Sequence, residues 1–165
     1  MDESDHQRLA AQAREVIDTN PYLVLGTVDP DEMPRVTPVF FGVDGYRDFY
    51  WVSSPEAVHS LNLAERPAVR AVVFDSTVRV GHARAVYLTG RARRVPDDEL
   101  PERCGVAFRP IAGARAFGPA ELSGSSTVRL YLLSVEVWEV LVMGRDPRLG
   151  TGIDRRVRVW PAGAA

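Results

Sequence analysis

What most constrains this chain is how little sequence separates its apolar runs. Stretches 22–28, 35–43, 49–54, 67–76, 84–95 and 127–143 are rich in Val, Leu, Tyr, Phe or Trp and alternate with polar residues or run on as short apolar blocks. That is the pattern of β-strands. Several joins are turn-like, such as DPDEMP after the first run and DGYRD after the second, where proline, acids and glycine reverse a chain. A parallel pair needs a crossover of about a dozen residues or more, usually helical, and most of these joins are too short. The expectation is a mainly β chain with peripheral helices, an antiparallel barrel or sandwich of about six strands. Pro38 inside the second run points to an edge strand or a bulge there.

The helices are few. Over 4–18, Leu9, Ala13, Val16 and Ile17 share one helical face, and Asn20-Pro21 stops the pattern. A second helix is expected over 55–65, because Pro55 suits a first helical position and Ser54 an N-cap. Residues 97–109 are weakly helical and interrupted by Pro101, and 110–127, rich in Gly, Ala, Pro and Ser, reads as a long loop. A last short strand is expected near 153–160. With no repeat, no linker and 165 residues, one core and one domain spanning 1–165 is the expectation.

Composition removes several chemistries. All twenty basic residues are arginine, so a lysine Schiff base, a phosphate-loop lysine and a lysine general base are impossible. Cys104 is alone, which rules out internal disulfides and multi-cysteine metal sites. His6, His59 and His82 show no ligand-like spacing, so no protein-held metal is expected. A formal charge of −2 gives no reason to expect nucleic acid. The absence of a long apolar run and the acidic, amphipathic start predict a cytoplasmic protein.

What remains is a group of donors. Arg35 and Thr37 share one strand face, and Ser53 and Ser54 end the neighbouring strand beside a helix start, where free N–H groups and the helix dipole stabilise an anion. His59 follows within that helix. Together they could form a phosphate pocket. Taken singly, Ser53 and Ser54 are equally good as plain caps, His59 as a surface histidine, and Arg35 as a solvated strand end. Trp138, in VEVWEV, reads as core or interface. No side chain stands out as a general base, His59 being the one titrating candidate near the donors.

In order, LVLGTVD, PRVTPV (34–39), YWVSSPEAVHSLNL (50–63), AVYLTGRARRV (85–95), VEVW (135–138) and IDRRVRV (153–159) resemble the FMN-binding split-barrel family that includes pyridoxamine 5′-phosphate oxidase. The resemblance implies an antiparallel six-stranded split β-barrel, a homodimer with the cofactor at the subunit interface, and FMN-dependent oxidoreductase activity on a small molecule. It implies that Arg35, Val36, Thr37, Pro38 and Val39 line the cofactor. By the same likeness Ser53, Ser54, His59 and Ser60 hold its phosphate, and Ala85 lies near its ring. Trp138 and either Arg155 or Arg156 correspond to residues reaching in from the partner. Phe40 stands where the oxidase has a basic residue, and Val58-His59 where it has an Arg-Lys pair, which argues against pyridoxamine phosphate as the substrate. The alternatives are an F420-dependent reductase of the same fold, its deazaflavin held in place of FMN, and a non-enzymatic flavin or haem carrier.

Overall fold

The computed structural model describes residues 1–108 and 115–160. Helix α1 (Glu3–Thr19) leads into β1 (Tyr22–Val28), β2 (Pro34–Phe40), β3 (Gly42–Asp44) and β4 (Asp48–Ser53). Helix α2 (Val58–Glu65), β5 (Ala68–Phe74), β6 (Ala85–Arg94) and α3 (Leu100–Ala107) follow. A short 3₁₀ turn (Pro119–Glu121), β7 (Arg129–Val142) and β8 (Arg155–Val159) complete the fold. All strand pairs are antiparallel, in the order β2-β1-β5-β6-β7-β4-β3, with β8 also on β7.

There are eight strands among the described residues, not six, for two reasons. The run expected as one strand over 35–43 breaks at Phe41, whose N–H donates to the Pro21 carbonyl; the chain turns there and β3 pairs with β4 instead of β1. At the other end, β7 is 14 residues long and uses one edge twice. Its first half, Arg129 to Ser134, pairs with β4, and its second half, Trp138 to Val142, pairs with β8. This switch curls the sheet into a half-barrel. β2 and β3 are the two ends of the strand order, and Pro38 lies, as expected, on an edge strand.

Two cores result. The larger fills the barrel with Leu23, Leu25, Phe49, Val73, Val86, Leu88, Leu133 and Val140, and α1 closes it with Leu9, Ala13, Val16 and Ile17. Each such fully buried side chain contributes about 1.5–3 kcal/mol. The smaller core lies on the opposite face of β4 and β7, where α3 and the 3₁₀ turn cover Tyr50, Leu130 and Leu132 with Leu100, Ala107 and Leu122. Residues 130–133 of β7 are therefore buried on both sides and read as an unbroken apolar run. Asp2 caps α1 by accepting the Asp5 N–H at 2.8 Å. Part of the expected 110–127 loop, residues 110–114, lies outside the described residues.

Candidate functional site

The candidate site forms where the end of β1, the start of β2, the end of β4 and helix α2 meet. Thr27, on the inward-facing side of β1, pairs in register with Arg35 of β2. Asn62, buried on α2, donates through Nδ2 to Thr27 Oγ1 at 3.1 Å and to Asp29 Oδ1 at 2.7 Å. Asp29 in turn grips Arg35 by two edges, Nε to Oδ1 at 2.8 Å and Nη2 to Oδ2 at 2.7 Å. The hydrogen bonds from Arg35 first, and from Asn62 second, hold the Asp29 carboxyl below its ordinary pKa, and the same pairing raises that of Arg35. The Arg35 side chain stays 42% exposed, with Nη1 not used by Asp29.

Across the opening, Ser53 Oγ and His59 Nε2 lie 2.8 Å apart. Burial, with repulsion from Arg35 second, lowers the His59 pKa. At neutral pH the imidazole is therefore neutral and adds no charge for an anion. Arg35 provides positive charge here, matched by Asp29, and Arg129 stands opposite Ser53 on β7 with its guanidinium donating to the Ser126, Val128 and Gly124 carbonyls.

The expected cap is corrected. Helix α2 starts at Val58 with Ala57 as its N-cap, and no side chain caps it. Ser54 closes a turn before the helix, accepting the Glu56 N–H on Oγ at 3.1 Å. Two prolyl-turn residues intervene because Pro55 and Glu56 are held by that turn and by the Ala57 N–H to Ser54 carbonyl bond. An uncapped helix start retains N–H groups for a ligand. Ser60 is buried, and its Oγ has no hydrogen-bond partner among the described residues.

The remaining expected residues divide. On β2, Thr37 and Val39 follow Arg35 on the inward side, and Val39 is buried. Val36 and Pro38 point outward and are exposed. Val58 is exposed at the helix start, and Ala85 is buried at the start of β6, opposite Phe74. Trp138 belongs to the barrel core, 2% exposed, its indole N–H donating to the Tyr46 carbonyl at 2.9 Å and its ring edge-on to Trp160. This placement is set by the inward parity of β7, and Trp138 is covered by residues of its own chain. Arg155 donates to the Leu149 carbonyl, while Arg156 lies over the Tyr87 ring on the outer sheet face, 3.7 Å from its centroid. Asp29 and Asn62 were missed by sequence reasoning. Asp29 sat in a turn already explained by its prolines; Asn62, three residues after His59 on one helix face, was the available signal.

A family model for pyridoxamine 5′-phosphate oxidase matches residues 9–141. The chain belongs to that family. No curated protein sequence matches it. Among solved structures, a haem-binding protein from Mycobacterium smegmatis superposes with a TM-score of 0.66 at 20% identity, over 91% of this chain and 57% of the other; the chain thus spans little more than half of that relative. A putative 5-nitroimidazole antibiotic resistance protein from Bacteroides thetaiotaomicron gives 0.62 at 16% identity, over 80% of each chain. A protein described as an F420 reductase gives 0.57 at 18%, over 76% of this chain and 94% of the other. At these identities the likeness speaks for the fold. Among the described residues no cluster of three or more His, Cys, Asp or Glu side chains could hold a metal, and no helix is long and apolar enough to cross a membrane.

Proposed function

We propose that the chain is a flavin-binding oxidoreductase that holds the phosphate of FMN between Arg35, Ser53, Ser54 and the start of α2. The observation that supports this reading is an uncapped helix start whose His59 feels the charge of Arg35, an arginine whose Nη1 is unused by Asp29. Bound flavin would supply the electron chemistry. The residues of this chain bind and orient it: Asn62 and Asp29 fix the Arg35 fork, and Ser53 holds the neutral His59 ring in one orientation. His59 could then hold or pass a proton at Nε2 without bringing a charge of its own. With Phe40 and Val58 in place of charges, the site lacks charge-assisted contacts of about 1.5–3 kcal/mol each, so pyridoxamine phosphate is not the substrate we propose.

The working unit in this reading is a homodimer in the cytoplasm. Its supporting observation is the outer face of the sheet, where Pro38, Val24, Val72 and Tyr87 lie in one register row across β2, β1, β5 and β6. Tyr22, Val36 and Phe74 are exposed on the same side, at 57%, 72% and 45%. A contiguous apolar face of this kind marks an association surface, and Arg156, on that face, is the arginine we assign to the shared site.

A deazaflavin, F420, is the alternative cofactor, favoured by the likeness to an F420 reductase. The non-enzymatic haem reading would need an exposed axial ligand, and His82 fits better than His59 because it is exposed and shares a cleft with Met143. The visible spectrum of the purified protein, with mass spectrometry of what denaturation releases, separates the three. For the phosphate pocket, Arg35→Ala should weaken FMN more than riboflavin in titration; equal weakening of both would remove Arg35 from the phosphate.

A further inference from the structure

A second cleft lies where α1 meets two loops, one between β5 and β6 and the other between β7 and β8. Its volume is about 380 Å³, inside the range of about 300–1,000 Å³ in which small ligands are held. None of Arg35, Ser53, Ser54, His59 or Ser60 lines it. The loop after β7 is tied down by its own backbone. The Asp146 carboxylate accepts the Arg148 and Leu149 N–H groups at 3.0 and 2.9 Å. The Gly152 N–H donates to the Gly144 carbonyl at 2.9 Å, and the Gly144 N–H to Asp154 Oδ1 at 2.8 Å. From this fixed loop Arg145 reaches across to donate to the Gly81 carbonyl. Gly81 has a φ of +79°, and a Cβ there would lie 2.7 Å from Arg145 Nη2. Glycine therefore leaves the guanidinium its place.

The charges of the cleft do not cancel. Asp146, the carboxylate on its wall, is also held by Arg8 at 3.2 and 3.3 Å. Arg84, on the same wall, is paired with Glu15 at 2.9 Å. Arg145 differs, because its partner is a neutral carbonyl and no carboxylate pairs with it among the described residues. The His82 imidazole and the Gln12 amide also line the cleft, without a hydrogen-bond partner among the described residues. A guanidinium with free N–H groups grips a planar carboxylate by two parallel bonds, and an imidazole or amide can donate to the same oxygens. An exposed arginine alone holds an anion weakly. Here Leu141, Met143 and Pro147 add an apolar wall that can take a short hydrocarbon stem out of water. A cationic ligand would instead be repelled by Arg145.

We propose that this cleft binds a small carboxylate with a short apolar stem, the carboxylate on Arg145 and the stem against Leu141, Met143 and Pro147, independently of any flavin. The test is isothermal titration of the full chain at physiological salt with hexanoate as the probe. Hexanamide and hexylamine are its neutral and cationic counterparts, and acetate is the same anion without the stem. Hexanoate should bind saturably with or without FMN present, and the other three about tenfold or more weaker. Arg145 is exposed, so Arg145→Gln should keep the circular dichroism and FMN affinity of the native chain while weakening hexanoate by about tenfold or more. Arg145→Lys keeps the charge and loses the fork; it should recover only part of that loss, and it serves alone if Arg145→Gln does not fold. No saturable binding of hexanoate, equal binding of acetate or hexanamide, displacement by FMN, or full affinity in either folded variant would each overturn the proposal. Failure of FMN to bind while hexanoate binds would remove the flavin reading and leave the carboxylate cleft standing.

Discussion

His59 illustrates how burial sets the chemistry of a single residue. The residue is 8% exposed and its pKa is lowered by burial first and by Arg35 second. The unfolded chain therefore binds a proton at a higher pH than the folded one. His59 favours folding fully above the ordinary imidazole range of about 6.5. That contribution is lost as pH falls from there toward the lowered folded value. Denaturant titrations from pH 8 to 5 should show this decline, and His59→Gln should flatten it; an identical slope in the variant would mean that other groups cause it. Asp29 works in the same direction at lower pH. Its pKa is lowered by Arg35 and Asn62, so its contribution is present above the ordinary carboxylate range and is lost as pH falls from there through the lowered folded value. With the imidazole neutral and the Asp29 carboxylate ionised, the Arg35–Asp29 pair carries no net charge, and an anion there would meet the guanidinium edge that Asp29 leaves unused.

At the scale of elements, β7 organises the sheet and Gly90 permits it. The β6–β7 register shifts between Thr89 and Gly90, and a Cβ at Gly90 would sit 2.1 Å from the Ser134 carbonyl oxygen. That contact is backbone, so neither strand can yield without breaking ladder hydrogen bonds. Gly90→Ala should destabilise the fold by about 1–3 kcal/mol, as overpacking does, read as a lower urea midpoint at unchanged slope. A shift within error would mean the bulge relaxes freely. Ser134 also marks the point where β7 leaves β4 and soon takes up β8. The bulge, the change of partner and the curl of the barrel therefore coincide, consistent with the bending that bulges impose.

For the whole molecule, the unpaired outer face and the split between β2 and β4 set what the fold can do. Val72 sits centrally in the row from Pro38 to Tyr87. If the outer face joins two copies, Val72→Glu should turn a dimer into a monomer in sedimentation, with the circular dichroism of the folded chain retained. A native chain that sediments as a monomer, or a variant that remains dimeric, would place association elsewhere or remove it.

Much of this architecture was legible in the residues. The 3.6-residue spacing of Leu9, Ala13, Val16 and Ile17 predicted α1, and the short joins predicted antiparallel pairing, because both follow from local geometry. Pro38 announced an edge strand since it cannot donate to a ladder from both sides. Other features depend on residues far apart in sequence. The break at Phe41 requires the Pro21 carbonyl, the cap at Ala57 requires Ser54 to be held in a turn, and the inward parity of Trp138 requires the register of β6 and β8. Arg35 was recognisable as a candidate from its strand position, but its neutral balance was not. Asp29 is six residues away across a turn and Asn62 comes from a helix, and only the folded chain brings a carboxylate, an amide and a guanidinium within hydrogen-bond reach. Sequence by itself determined the strands, the first helix and the roster of donors, through periodicity and turn chemistry. Tertiary structure alone decided which donors are charged and which are already satisfied, because charge pairing and burial depend on distance in space rather than along the chain.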